Sequence, residues 1–107
     1  MLDKTTKSAK FHVYYKQWIT VYKEGAIRDV TMAKYIMSHQ WLIKLEPDLT
    51  LNNLTRISYQ QLLNNYAEEH ERQTTMDFHH QLKGATLDAV DEGLVERDPT
   101  RKAIIKG

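Results

Sequence analysis

Residues 74–95 read "TTMDFHHQLKGATLDAVDEGLV". Phe78, Leu82, Ala85, Ala89 and Val90 recur at three- and four-residue spacing, which predicts an amphipathic helix with a narrow apolar stripe. Thr74 or Thr75 is placed to cap its start, because a threonine hydroxyl accepts from the first free amides. Gly93 is placed to end it, and Leu94 and Val95 can then fold back as an apolar contact. The small residues Gly84, Ala85 and Ala89 let another element approach closely. A glycine inside a helix costs about 1 kcal/mol against alanine, so Gly84 needs a packing or ligand reason.

Three further helices are predicted ahead of this one. The first runs from about Thr6 to Glu24, with Phe11, Tyr14, Tyr15, Trp18, Ile19, Val21 and Tyr22 at helical spacing and Gly25 as its end. The second runs from about Thr31 to Leu45, capped by Asp29 or Thr31 and stopped by Pro47. Its expected apolar face is Tyr35, Ile36, Trp41, Leu42 and Leu45. The third follows "PDLTLNNLT", with Thr55 as cap and Ile57, Tyr59, Leu62, Leu63 and Tyr66 leading to about Glu69. "EEHER", residues 68–72, is a short polar connection. Sparse glycine and proline argue against many short strands. The expected fold is all-α, a compact four-helix bundle with room for a short extra turn at the C-terminus. Trp18, Trp41, Tyr14 and Tyr35 are expected in its core.

A chain of 107 residues without cysteine allows one domain and excludes disulfides and thiolate metal sites. No apolar run approaches the roughly 20 residues of a membrane helix. The expected location is cytoplasmic. Net charge is +1, but residues 1–44 carry eight Lys/Arg against three Asp/Glu, and the rest seven against eleven. A basic half suits a polyanion.

Catalytic patterns are missing. Ser8, Ser38 and Ser58 sit in no glycine-rich elbow, and the four glycines are too scattered for a phosphate loop. No tyrosine stands beside clustered arginine and histidine. His79 and His80 are adjacent, so on a helix they diverge by about 100° and do not chelate one ion. His39 and His70 lack a partner at metal-ligand spacing. No cofactor or metal is expected. Two readings stand: a DNA-binding module, and a small helical protein–protein interaction module. Convergence of Lys34, His79, His80 and Lys83 on a basic face favours the first; an exposed apolar patch with interleaved acids favours the second.

Four segments in order carry a more specific signal: "F..YYKQWITVY", "VTMAKY", "L..LT...YQQLLNNY" and "TT...H..L..ATLDAVDEGLVERDPT". Together they resemble the core-binding domain, SAM-like in fold, of phage-integrase-type tyrosine recombinases. The matching positions are Thr31 and Tyr35, the Leu51–Thr55 turn, and Ala89, Gly93, Leu94 and Asp98-Pro99; aspartate for the family's asparagine before the proline is a departure. The resemblance covers about residues 8–103.

It implies a flexible lead over residues 1–7, a helical domain over 8–96 and, from 97 to 107, the start of a linker to a separate catalytic domain holding the tyrosine nucleophile. The chain by itself would then be non-catalytic, part of an integrase of a phage, prophage or other mobile element acting in a bacterial cell. Its partner would be the double-stranded DNA of a recombination core site, gripped opposite the catalytic domain. The isolated domain is expected to be a monomer, and the full protein a tetramer on paired sites. The second and fourth helices would face the duplex. On them Thr31, Lys34, Thr74, Thr75, Met76, His79, His80 and Lys83 are the candidate contacts. Lys7, Lys10 and Arg28 would meet the backbone, and Arg101 and Lys102 would follow the duplex along the linker.

Overall fold

The computed structural model describes residues 6–107. Residues 1–5 of the expected lead lie outside the described residues. Four α-helices follow one another: α1 (Phe11–Tyr22), α2 (Asp29–Leu45), α3 (Arg56–Ala67) and α4 (Arg72–Asp91), with a short 3-10 turn at Leu51–Asn53 between α2 and α3. No strand is formed among the described residues; an isolated antiparallel bridge joins Lys10 to Thr50.

That bridge explains why α1 starts later than its apolar pattern suggests. The backbone of residues 7–11 is committed to the α2–α3 connection: the amides of Asn52 and Leu51 donate to Lys7 and Ala9 carbonyls (2.8 and 2.9 Å), and Phe11 N–H donates to Leu49 (2.8 Å). Helical hydrogen bonding takes over from Lys10 onward.

Each helix contributes one buried stripe. From α1 come Phe11, Tyr14, Tyr15, Trp18 and Ile19; from α3 Tyr59, Leu62, Leu63 and Tyr66; from α4 Phe78, Leu82, Ala85 and Ala89. Leu51, Leu54 and Val95 close the ends. The helix α2 buries less: Leu42 and Ser38 are fully covered, with Met32, Tyr35, Trp41 and Leu45 packed part-way against the core. Ile36, expected on that face, is instead exposed. The serine takes the inward position because Gln81 on α4 satisfies its hydroxyl through a hydrogen bond, which offsets the cost of burying a polar group. Val21 and Ile57, read as part of apolar stripes, also face solvent.

The helix ends divide into those the sequence signalled and those it did not. Thr55 caps α3 through a reciprocal box: Ser58 N–H donates to its hydroxyl (3.2 Å), and its own N–H donates to Ser58 Oγ (2.8 Å). At the end of α4, Gly93 takes φ +77°, its N–H reaches the Val90 carbonyl (3.0 Å), and Leu94 N–H reaches Ala89 (2.9 Å). These are the two bonds of a Schellman close, and Val95 folds into the core after it. By contrast, α2 begins at Asp29 behind Arg28, and neither Asp29 nor Thr31 caps it. The helix α4 begins at Arg72 behind Glu71, so Thr74 and Thr75 lie inside its first turns rather than at its cap.

Beyond α4 the chain stays on the bundle. Asp98-Pro99 makes the expected turn, with Thr100 N–H on the Asp98 carboxylate (2.9 Å) and Thr100 buried. Ala103 and Ile105 pack against the core. Gln60 of α3 grips Ile104 at both backbone groups, donating to its carbonyl (2.8 Å) and accepting from its N–H (2.9 Å). We refer to residues 98–107 as the C-terminal strap.

Candidate nucleic-acid interface

The α1, α2 and α4 helices are locked together by side chains whose polar atoms are used up in the lock. Trp18 Nε1 donates to the Asp88 carboxylate (2.7 Å), Tyr14 donates to Glu92 (3.1 Å), and Tyr15 donates to the Gln81 carbonyl (3.0 Å). Ser38 bonds Gln81 from α2. Burial pushes the hydroxyls of Tyr14, Tyr15, Tyr59 and Tyr66 above their ordinary range, with nearby carboxylates adding to it for Tyr14, Tyr59 and Tyr66. Tyr14, Tyr15 and Tyr59 are hydrogen-bond donors of the core, and Tyr66 packs there by its ring. A nucleophilic phenol needs the opposite shift.

Two expected contacts are turned inward. Thr75 is fully buried, and its hydroxyl donates to the Glu71 carbonyl of its own helix (3.0 Å). His79 is 8% exposed, with Nδ1 2.8 Å from the Tyr59 hydroxyl. Burial, then the charges of His80 and Lys83, hold its imidazole below the ordinary pKa, against a smaller pull from Asp98. A neutral ring accepts at Nδ1 from Tyr59, so it is a core histidine. Thr75 thus spends its hydroxyl on its own helix, and His79 spends Nδ1 on Tyr59 inside the core. Thr74 is half-buried in the first turn of α4.

The remaining residues fall into separate places. On α2, Thr31 and Lys34 are exposed. Lys34 is one turn before Ser38 and about 40° round the helix from it. Since Ser38 faces α4, Thr31 and Lys34 border the groove between α2 and α4. On α4, His80 and Lys83 are exposed and Met76 half-buried. Lys83 is roughly 200° round the helix from Gln81, so it stands on the side of α4 away from α2. Arg28 is exposed at the N-terminus of α2. Lys7 and Lys10 sit at the connection before α3, where Lys10 pairs with Asp48 at 3.4 Å. Arg101 and Lys102 are exposed on the strap.

Among the described residues, Lys10–Asp48 is the ion pair formed. Lys34, Lys83, Arg28, Arg101 and Lys102 have none; on α4, Asp88 accepts from Trp18, while Asp77 accepts from Gln73 on the exposed surface of the same helix (3.1 Å). No group of three or more metal-ligating side chains exists among the described residues. No helix among them is long and apolar enough to cross a membrane.

Sequence reasoning did not single out Arg56 and Arg97. They line, with Arg101 and Lys102, a cavity of about 830 Å³ between the start of α3 and the strap. The available signal was the arginine directly after the Thr55 cap, where a positive charge opposes the helix dipole.

The chain resembles two solved structures. The N-terminal domain of prophage pi2 protein 01, an integrase from Lactococcus lactis, superposes with a TM-score of 0.87 at 30% identity, over 92% of this chain and 94% of that one. A fragment of a phage integrase from Staphylococcus saprophyticus superposes with a TM-score of 0.76 at 29% identity, over 88% of this chain and 86% of that one. No protein-family model matches this chain, and no curated protein does.

Proposed function

The chain belongs to the phage-integrase N-terminal domains, and on that premise we propose that it binds duplex DNA through α2 and α4. The grip on a recombination core site is made by Thr31 and Lys34 beside the α2–α4 groove and by Met76, His80 and Lys83 on the outer side of α4, with Arg28 on the flanking backbone. The reading is supported by the family and by exposed cations without an ion partner among the described residues, Lys34 and Lys83. His79 is buried and Lys83 stands on the side of α4 away from α2, so these residues do not form one continuous basic face. Most contacts of this kind go to phosphate and position the protein rather than read sequence. A net charge of +1 gives weak binding by the isolated domain. Tethering within an integrase raises the effective concentration. On the same reading, tyrosine-dependent strand cleavage and tetramer assembly on paired sites belong to the rest of the recombinase.

A second reading has its own support. Val30, Ile36, Met37 and Ile43 on α2 are exposed, an apolar surface suited to a protein partner. Amide chemical-shift mapping with a short non-specific duplex at low salt separates the two. Shifts concentrated at residues 28–37 and 76–87 support the DNA grip. An unperturbed spectrum from a folded domain transfers the claim to a protein-interaction module.

A further inference from the structure

The cavity at the start of α3 lies outside the α2–α4 grip, although Arg101 and Lys102, expected to follow the duplex along the linker, stand on its walls. Its walls come from two parts of the chain more than 40 residues apart, α3 and the strap, held together by the double hydrogen bond between Gln60 and Ile104. Four cations line it, Arg56, Arg97, Arg101 and Lys102, against one carboxylate, Glu96. None of the four is ion-paired among the described residues. Two aliphatic side chains on the same walls stand in water, Ile57 at 72% and Ile104 at 62% exposure.

Two local choices run against stability at this place. Arg56 occupies the first helical position of α3, where the macrodipole favours an acid. Lys102 takes a left-handed backbone, φ +58°, the one non-glycine residue to do so among those described. That conformation is unfavourable for a residue with a side chain. Such costs persist where the surroundings hold them in place, and they gather at binding sites.

We propose that this groove docks an acidic protein segment carrying an aliphatic anchor. The charge requires a negative partner. The concavity of about 830 Å³ falls in the range of ligand clefts, and its exposed isoleucines find an apolar partner on a side chain. A phosphate backbone offers none, and would leave Ile57 and Ile104 desolvated against charge. Carboxylates at the rim and one or two aliphatic side chains on the floor match both features at once. The walls are already joined by Gln60, so little ordering opposes binding.

The probe is a fluorescent decapeptide of glutamates with two central leucines, titrated into the chain at low and at physiological salt. Binding is saturable, and weakens roughly tenfold in Arg56→Glu/Arg101→Glu or when serines replace the probe's leucines. Lys16→Glu/Lys44→Glu, an equal charge change elsewhere on the surface, leaves it unchanged. Equal losses in both double variants, indifference to the leucines, or no binding by a folded chain overturns the proposal. A labelled duplex that displaces the peptide and itself loses affinity in Arg56→Glu/Arg101→Glu assigns the groove to nucleic acid and also overturns it. The DNA reading is tested on α2 and α4, so the two fail separately.

Discussion

Trp18 lies across the bare backbone of Gly84: a β-carbon added at that glycine would stand 3.1 Å from Cη2 and 3.3 Å from Cζ2 of the indole. The relationship gives the mid-helix glycine its reason. It lets α1 and α4 close around a ring that also packs on Tyr15, Tyr22 and Tyr35, with Lys23 Nζ 5.1 Å above it. The ring cannot retreat, because its Nε1 is fixed on Asp88 at 2.7 Å.

Gly84→Ala therefore sets two effects in opposition. Helix propensity favours alanine by about 1 kcal/mol. Overpacking against a held ring costs about 1–3 kcal/mol. We expect net destabilisation of about 1 kcal/mol in urea unfolding. In a Trp18→Leu background, which removes the indole, the same change is expected to stabilise. Stabilisation in both backgrounds would show that the contact does not matter.

The cap at Thr55 gives a simpler case. Thr55→Ala removes one arm of the reciprocal box at the start of α3 and is expected to cost about 1 kcal/mol, with no change in the urea m-value. Ser58→Ala removes the other arm and the bond that Ser58 Oγ donates to the Asn53 carbonyl (2.8 Å). In a double-mutant cycle the two costs are expected to be less than additive.

Acid should destabilise the bundle through its histidines. Burial lowers the pKa of both His79 and His39 below the ordinary 6.5, with His80 and Lys83 adding to the effect at the first and Lys16 and His12 at the second. A depressed folded-state pKa means the unfolded chain binds the extra proton first as pH falls through 6.5. The benefit of the neutral ring is thus complete above that pH and is lost progressively below it, down to the folded-state value. His79→Asn keeps an acceptor near the Tyr59 hydroxyl without a titrating ring. Its thermal midpoint is expected to fall less between pH 7.5 and 5.5 than that of the parent chain. Parallel curves would remove His79 from the account.

Gln60→Ala is expected to release the strap while the four helices remain. Two of its hydrogen bonds go to Ile104 and a third to Asn64 on its own helix, so hydrogen exchange should quicken at the Ile104 amide and its neighbours. Protection in the middle of α4 is expected to stay as it was. Loss of protection throughout would mean that strap and bundle unfold as one.

Much of this architecture was legible in order and spacing. The Thr55 cap, the Gly93 close and the aromatic stripe of α1 are set by neighbours within a few residues, and local rules reach that far. Other features were not, because the deciding partner is distant. Helix phase sets His79 nearer the Phe78–Leu82–Ala85 stripe than His80, but the Tyr59 hydroxyl that makes it a satisfied core histidine lies 20 residues away. Ser38 looks like a surface residue until Gln81 supplies its hydrogen bond. Thr75 resembles a cap because a threonine bonding back to its own helix leaves the same trace as one that starts it. The basic groove escaped notice since Arg56 joins Arg97, Arg101 and Lys102 only after the strap folds back along α3.

The central claim, that α2 grips duplex phosphate through Lys34, is tested most directly by the salt dependence of binding. The affinity of the chain for a labelled duplex is measured as salt rises, with Lys34→Ala beside it. The account predicts that log K falls linearly with log salt, and that the slope drops by about 0.9 in the variant, one phosphate contact fewer. An identical slope and affinity in Lys34→Ala, with the helical signal intact, would contradict it.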